Sequence, residues 1–278
     1  MKIGIVGAGT MGSGIAQAFA ATQGYEVVLC DVSREMAQKG VERIAAKLGK
    51  AVEKGRMPQA DAERIVAAIR AGERKDLAAC GLVIEAALED MGTKKELFAD
   101  LEKICPPDTL FATNTSSLSI TEIGRGIARP VVGMHFFNPA ETLKLVEVIA
   151  GLQTPRETLD KVIAIAEAIG KTPVEVQDSA GFVVNRILVP MINEAIGILA
   201  DGVASPEAID TSMKLGASHP MGPLALGDLV GLDVCLAIME VLHAEMGEDK
   251  YRPHPLLRKM VRGGLLGRKT GQGFFTYS

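Results

Sequence analysis

Two groups of residues in this sequence could do chemistry. The first centres on His135, in VVGMHFFNP, one of only four histidines in the chain. It stands where an apolar run gives way to an Asn-Pro turn. KLVEVI follows, with Glu147 inside an otherwise apolar run. Such a run rarely carries a lone carboxylate without a partner. An imidazole N–H is a suitable partner, and the acid would then orient the ring and raise its basicity. NTSS adds Asn114, Ser116 and Ser117 at the end of another apolar run. A base, an orienting acid and a hydroxyl donor are what oxidation of an alcohol requires when a hydride acceptor lies beside them, and no metal is needed. Taken alone, a histidine at a strand end is more often a satisfied structural residue. NTSS alone could equally be a polar turn capping the next helix.

The second group is GAGTMG, where Gly7, Gly9 and Gly12 form G-x-G-x-x-G. Gly7 permits the tight turn, Gly9 lets a pyrophosphate approach the backbone, and Gly12 lets helix and strand pack closely. Thr10 and Met11 complete the loop, and the N–H groups of the following helix N-terminus attract phosphate. The glycine pattern alone is weak. Here an apolar run precedes it and a helical pattern follows, and Asp31 closes YEVVLCD 19 residues after Gly12. A carboxylate there can accept hydrogen bonds from ribose hydroxyls and repel a 2′-phosphate, so NAD is expected over NADP. Arg34, close behind, could offset that repulsion.

The elements that must position these groups alternate. KIGIV, YEVVLCD, GLVIEAA, TLFATN, PVVGMHFF, LKLVEVI and TPVEVQ read as strands, with helical patterns between most of them. That order predicts an α/β fold, a Rossmann-like and mostly parallel sheet. Strands of such a sheet deliver functional residues at their carboxyl ends, beside the bound dinucleotide. Residues 34–55 and 59–71 read as two amphipathic helices, an inserted helical hairpin too long for a simple crossover. Beyond about residue 180 the pattern is helical: a long helix carrying Pro190, a helix with Ser205 as N-cap and Pro206 in its first turn, and one long helix from Leu224 to Gly247. Two domains follow, a dinucleotide-binding domain over residues 1–180 and a smaller all-α domain over 181–278.

Composition bounds the rest. The 278 residues are 47% hydrophobic, enough for a substantial core, and the net charge of −4 argues against a nucleic-acid surface, as does the lack of tryptophan. The four cysteines, Cys30, Cys80, Cys105 and Cys235, have no C-x-x-C spacing and suit reduced, structural thiols in the cytoplasm. Neither a targeting segment nor a membrane-spanning run is expected.

Taken together, GAGTMGSGIAQAFA, NTSSLSIT, GMHFFNP, KLVEVI, GFVVNRIL, KLGASHPMGP and LGRKTGQGFF resemble the 3-hydroxyacyl-CoA dehydrogenase family, in order and across essentially the whole chain. The nearest resemblance is to its bacterial 3-hydroxybutyryl-CoA members. It implies His135 as the catalytic base paired with Glu147, Ser116 as the hydroxyl that bonds the substrate oxygen, and Asn185 as an amide at the substrate thioester. It implies that Glu89, Lys94, Ser116, Asn138 and Lys269 contact the cofactor, and that Lys50 and Lys54 meet the phosphates of coenzyme A. Without the resemblance, the basic cluster at Lys50, Lys54 and Arg56 reads as an ordinary solvated helix face. The implied substrates are acetoacetyl-CoA and 3-hydroxybutyryl-CoA, and the implied assembly is a homodimer through the second domain. The residues alone leave two alternatives open: a dehydrogenase of a free 3-hydroxy acid, and a non-catalytic dinucleotide-binding protein. The chain departs from the family pattern at Ala140, Glu141 and Thr142, where a proline-containing apolar run is common. It departs again at Ala180, where proline is common.

Overall fold

The computed structural model describes residues 1–277. The chain divides into two compact units, Met1–Asp178 and a second beginning at Ser179. The first unit opens with β1 (Lys2–Val6), α1 (Thr10–Ala21) and β2 (Glu26–Cys30), continues with the hairpin of α2 (Arg34–Glu53) and α3 (Gln59–Ala67), and returns as β3 (Ile69–Gly72). It then runs through β4 (Leu82–Glu85), α4 (Met91–Ile104), β5 (Leu110–Thr113), the short α5 (Ile120–Ile123), β6 (Val131–Phe136), β7 (Leu145–Ala150), α6 (Arg156–Ala168) and β8 (Thr172–Gln177).

The eight strands form one sheet in the order β3-β2-β1-β4-β5-β6-β7-β8. Neighbours are parallel except β6 and β7, which run antiparallel. The central strands are apolar on both faces because both faces are covered. One layer packs Ile15 and Phe19 of α1, Ile44 of α2 and Val162 of α6 against the sheet, and the other packs Leu97, Phe98 and Leu101 of α4. The order reverses at β1, since the chain moves outward to β2 and β3 and then comes back to β4 on the other side. That reversal opens a crevice at the carboxyl ends of β1 and β4.

Helix α2 is built for two tasks. Ser33 caps it by accepting the Met36 N–H, and Ala37, Gly40, Val41, Ile44 and Leu48 form its buried stripe. Full burial stops at Leu48, and although Val52 still packs partly against the core, Lys50 in the last turn and Lys54 at the C-cap are exposed.

Two elements differ from the sequence reading. Residues 59–71 were expected as one helix, but the helix ends at Ala67 and Ile69–Gly72 pairs in parallel with β2. Without that strand β2 would be an open edge, and its unpaired backbone groups outweigh a helical periodicity that continues for only a few residues. In the second unit, the expected long helix from Leu224 is two helices, α9 (Pro223–Val230) and α10 (Leu232–Met246), and Gly231 between them has φ +102°. That value suits glycine and ends a helix.

The second unit holds α7 (Val184–Ala200), α8 (Pro206–Gly216), α9, α10 and α11 (Pro255–Arg262), the last of which the sequence reading left out. Ser205 caps α8 by accepting the Ala208 N–H, and Pro206 starts it. Ile192, Ile196, Leu224, Leu232, Met239, Leu242 and Leu257 form the core of this unit. Two buried carboxylates organise it. Asp210 accepts the N–H groups of Leu224 and Ala225 at the start of α9, at 2.8 and 2.9 Å. Asp228 accepts those of Phe274 and Phe275 and the Tyr277 hydroxyl, at 3.0, 2.9 and 3.0 Å, which fastens the tail. Burial, followed by the bond to Asp228, pushes the Tyr277 hydroxyl up to about 12.

Candidate active site

The carboxyl ends of β1, β4, β5 and β6 share one edge of the sheet, and most of the expected residues of the first unit lie along it. At the end of β1 the glycine loop has the shape its pattern calls for. Gly7 has φ +103°, and a Cβ on Gly12 would strike the Gly7 carbonyl oxygen, so the loop packs against the start of α1 with no room for a side chain. A Cβ on Gly9 would meet nothing within 4 Å, which leaves its outer face open. Gly9 is also the N-cap of the 12-residue α1 and supplies no side-chain cap. The open face and uncapped N–H groups fit a pyrophosphate. Asp31, just beyond β2, accepts the Ala8 N–H at 2.6 Å and the Val32 N–H at 2.7 Å, so the loop holds its carboxylate at the rim. A cleft beside it is walled by Val32, Ala87 and Leu97, apolar surfaces suited to an adenine ring.

The end of β4 carries a network that the sequence reading saw only in part. Glu85 is fully buried, and its carboxylate accepts the Lys94 amine through both oxygens at 2.8 Å, the Thr113 hydroxyl at 2.6 Å and the Ala87 N–H at 2.7 Å. Lys94 is only 1% exposed and reaches Glu89 at 3.2 Å as well. Glu89 then gathers the turn after β5. It accepts the Thr115 hydroxyl at 2.7 Å, the Ser116 N–H at 2.8 Å and the Ser116 hydroxyl at 3.1 Å. Burial alone would push Glu89 up, but the Lys94 charge, the Thr115 hydroxyl and the Ser116 N–H together hold it below its ordinary value. Glu85 and Thr113 were missed. The signal was present, since GLVIEAA carries a lone carboxylate inside an apolar strand just as KLVEVI does.

At the end of β6, His135 is 5% exposed and stands directly opposite Glu147 in the antiparallel register with β7. His135 Nδ1 lies 2.8 Å from Glu147 Oε2, and Glu147 is 1% exposed. The Phe137 ring packs on the imidazole with centroids 4.4 Å apart. Asn114 ties this edge to β5, because its side-chain oxygen accepts the Phe136 N–H at 2.8 Å. Asn138 follows on the exposed turn. The loop after it is held from two sides. The Lys171 amine donates to the carbonyls of Ala140 and Leu143, at 2.6 and 2.7 Å, and burial lowers its pKa. Glu141 pairs with Lys47 of α2 and leans on Gly14 of α1, with its side chain 11% exposed. Glu141 is visible in the sequence as a departure from the family pattern, but neither its partner nor Lys171 was.

Lys50, Lys54 and Arg56 are exposed around the tip of the hairpin. Asn185, in the first turn of α7, and Lys269, ion-paired with Asp233, belong to the second unit. No cysteine competes as a nucleophile: burial pushes Cys30 and Cys235 up to about 12 and Cys80 to about 11, and raises Cys105 as well. Among the described residues no helix is long and apolar enough to cross a membrane.

Comparison with known proteins gives this geometry a context. Residues 2–179 match the family described as 3-hydroxyacyl-CoA dehydrogenase, NAD binding domain, and residues 181–277 match 3-hydroxyacyl-CoA dehydrogenase, C-terminal domain. The chain is 53% identical to a 3-hydroxybutyryl-CoA dehydrogenase of Clostridioides difficile over 281 residues, covering 100% of both. It is 41% identical to the mitochondrial hydroxyacyl-coenzyme A dehydrogenase of Homo sapiens, over 98% of this chain and 90% of the human one. Its fold superposes on the crystal structure of an (S)-3-hydroxybutyryl-CoA dehydrogenase from Ralstonia eutropha with a TM-score of 0.94, at 48% identity and covering 100% of this chain and 99% of that one.

Proposed function

Because the chain belongs to the 3-hydroxyacyl-CoA dehydrogenase family and is an NAD-dependent oxidoreductase of it, we propose that it interconverts (S)-3-hydroxybutyryl-CoA and acetoacetyl-CoA, with His135 as the acid–base group. The observation that carries the chemistry is the 2.8 Å bond between His135 Nδ1 and Glu147. A carboxylate there accepts the Nδ1–H and leaves Nε2 as the basic nitrogen. In oxidation Nε2 removes the proton of the 3-hydroxyl group, and in reduction the imidazolium returns it. Glu147 keeps the ring from rotating and stabilises its charged form. The chemistry that a bound nicotinamide would supply here is acceptance or return of the hydride at C3.

The remaining roles are those the family resemblance implies, and the positions on the sheet edge and hairpin tip are compatible with them. The glycine loop, Thr10 and Met11 hold the pyrophosphate, Asp31 the ribose, and Asn138 the nicotinamide side. Ser116 steadies the substrate oxygen, and Glu89 aims it through the two bonds it accepts from that serine. Lys94 is enclosed by two carboxylates, so its part in holding the cofactor is exerted through Glu89. Lys50 and Lys54 meet the phosphates of coenzyme A as mobile point charges. The family resemblance assigns Asn185 to the substrate thioester and Lys269 to the cofactor, and both are carried into the proposal in those roles. The second unit exposes Ile187 (68%), Val203 (72%) and Leu215 (81%), apolar surface that suits a homodimer interface. Four buried free cysteines suit a reducing compartment, and the cytoplasm is the location we propose.

The test is NADH absorbance with acetoacetyl-CoA and, separately, with free acetoacetate. Oxidation with the thioester and little with the free acid is the expected result. Equal rates with both would shift the assignment to a dehydrogenase of free 3-hydroxy acids.

A further inference from the structure

The cleft beside the glycine loop contains an ion pair that no dinucleotide motif accounts for. Arg74 and Asp100 both line it, as do Asp31 and Glu96. Arg74 follows β3, the strand that brings this segment next to β2, and Asp100 lies on α4. Their side chains meet at 3.1 Å, Nη1 to Oδ2, and each is nearly half exposed, 45% and 46%. Asp100 also accepts the Lys103 amine at 3.2 Å through its other oxygen. Arg74 is therefore the one cation among the residues lining this cleft, and its charge is taken up by one of the three carboxylates there.

We propose that Asp100 is a specificity-determining residue, which holds Arg74 so that the cleft selects a dinucleotide with free ribose hydroxyls over one carrying a 2′-phosphate. The inference rests on the reading that this cleft receives the adenosine half of the cofactor. A guanidinium is the side chain best suited to grip a phosphate through two parallel hydrogen bonds. Left unpaired beside Asp31, Arg74 would offset the repulsion that Asp31 exerts on a 2′-phosphate. Asp100 removes that option twice over, by occupying the guanidinium and by adding a negative charge of its own. On this view selectivity for NAD lies in a pair on two elements remote in sequence, in addition to the acid at the end of β2. Because both side chains of the pair are nearly half exposed, replacing Asp100 alters selectivity with little effect on folding.

The experiment measures dissociation constants of NADH and NADPH from the change in nucleotide fluorescence on binding, with no acyl substrate present. The wild type is compared with Asp100→Asn, Arg74→Ala, the double variant and Glu96→Gln. Asp100→Asn should tighten NADPH about fivefold and leave NADH nearly unchanged, the size expected for one freed charge at an exposed site. The double variant should lose that gain, because the gain comes from Arg74. Glu96→Gln removes the same charge without touching Arg74 and should give a smaller shift. The proposal is overturned if Asp100→Asn leaves the NADPH-to-NADH ratio unchanged, or if the double variant keeps the full gain. A wild type that binds neither nucleotide would instead overturn the assignment of the cleft itself.

Discussion

Replacing Lys94 with methionine tests whether the end of β4 is held by charge. In the folded chain the Lys94 amine is bonded to both oxygens of Glu85 at 2.8 Å, and the two side chains are 1% and 0% exposed. Methionine fills most of the volume but leaves Glu85 with two neutral donors, the Thr113 hydroxyl and the Ala87 N–H. Removing one partner of a buried pair costs about 3–5 kcal/mol, because the other charge is left stranded. The two remaining donors place this case near the lower end, about 3 kcal/mol. For a cooperative unit the size of Met1–Asp178, that corresponds to a fall in Tm of roughly 6–12 °C. Calorimetry or urea unfolding would measure it. A second variant separates charge from packing: Glu85→Gln added to Lys94→Met removes the stranded charge and should recover most of the loss. A single variant within about 0.5 kcal/mol of wild type would refute the reasoning. So would a double variant no more stable than the single.

Three further outcomes are expected. Glu147→Gln keeps the shape but removes the charge facing His135 Nδ1, so kcat should fall about a hundredfold and the pH–rate profile should move, whereas an unchanged profile would argue against the pair. Lys50→Ala combined with Lys54→Ala should raise KM for acetoacetyl-CoA about tenfold with KM for NADH nearly constant, since the role proposed for these exposed charges is to meet the coenzyme A phosphates in ground and transition states alike. If both constants stay put, the hairpin tip is only a solvated face. Light scattering should report a dimer at micromolar concentration, and Leu215→Asp with Val203→Asp should drive it to monomer. A wild-type monomer would refute that assembly.

Much of the first unit is legible in the sequence for definite physical reasons. The apolar runs of β1, β2 and β4 read as strands because both faces of the sheet are covered. His135 and Glu147 could be paired on paper because an apolar strand seldom carries a lone acid. The same logic applied to Glu85 would have found a second buried carboxylate, but its partner Lys94 comes from the following helix and needs strand–helix geometry to be seen. Strand β3 was hidden because Ile-Arg-Ala-Gly continues the periodicity of α3 for a few residues, and only the open edge of β2 decides between helix and strand. Gly231 carries no local mark that separates a tolerated helical glycine from a break. Its φ of +102° appears only once the chain is folded into α9 and α10. Glu141 and Lys171 act on the loop after Asn138 through contacts 94 and 31 residues apart, beyond the reach of any local pattern.

In the proposed reaction His135 moves the proton of the 3-hydroxyl group, and one measurement addresses that role directly. His135→Ala is assayed for acetoacetyl-CoA-dependent NADH oxidation while NADH binding is followed by fluorescence in the same preparation. The expected result is a loss in kcat of about a thousandfold with NADH affinity preserved, since the imidazole acts on the proton and not on the dinucleotide. A variant that binds NADH normally and keeps half the wild-type rate would contradict the account.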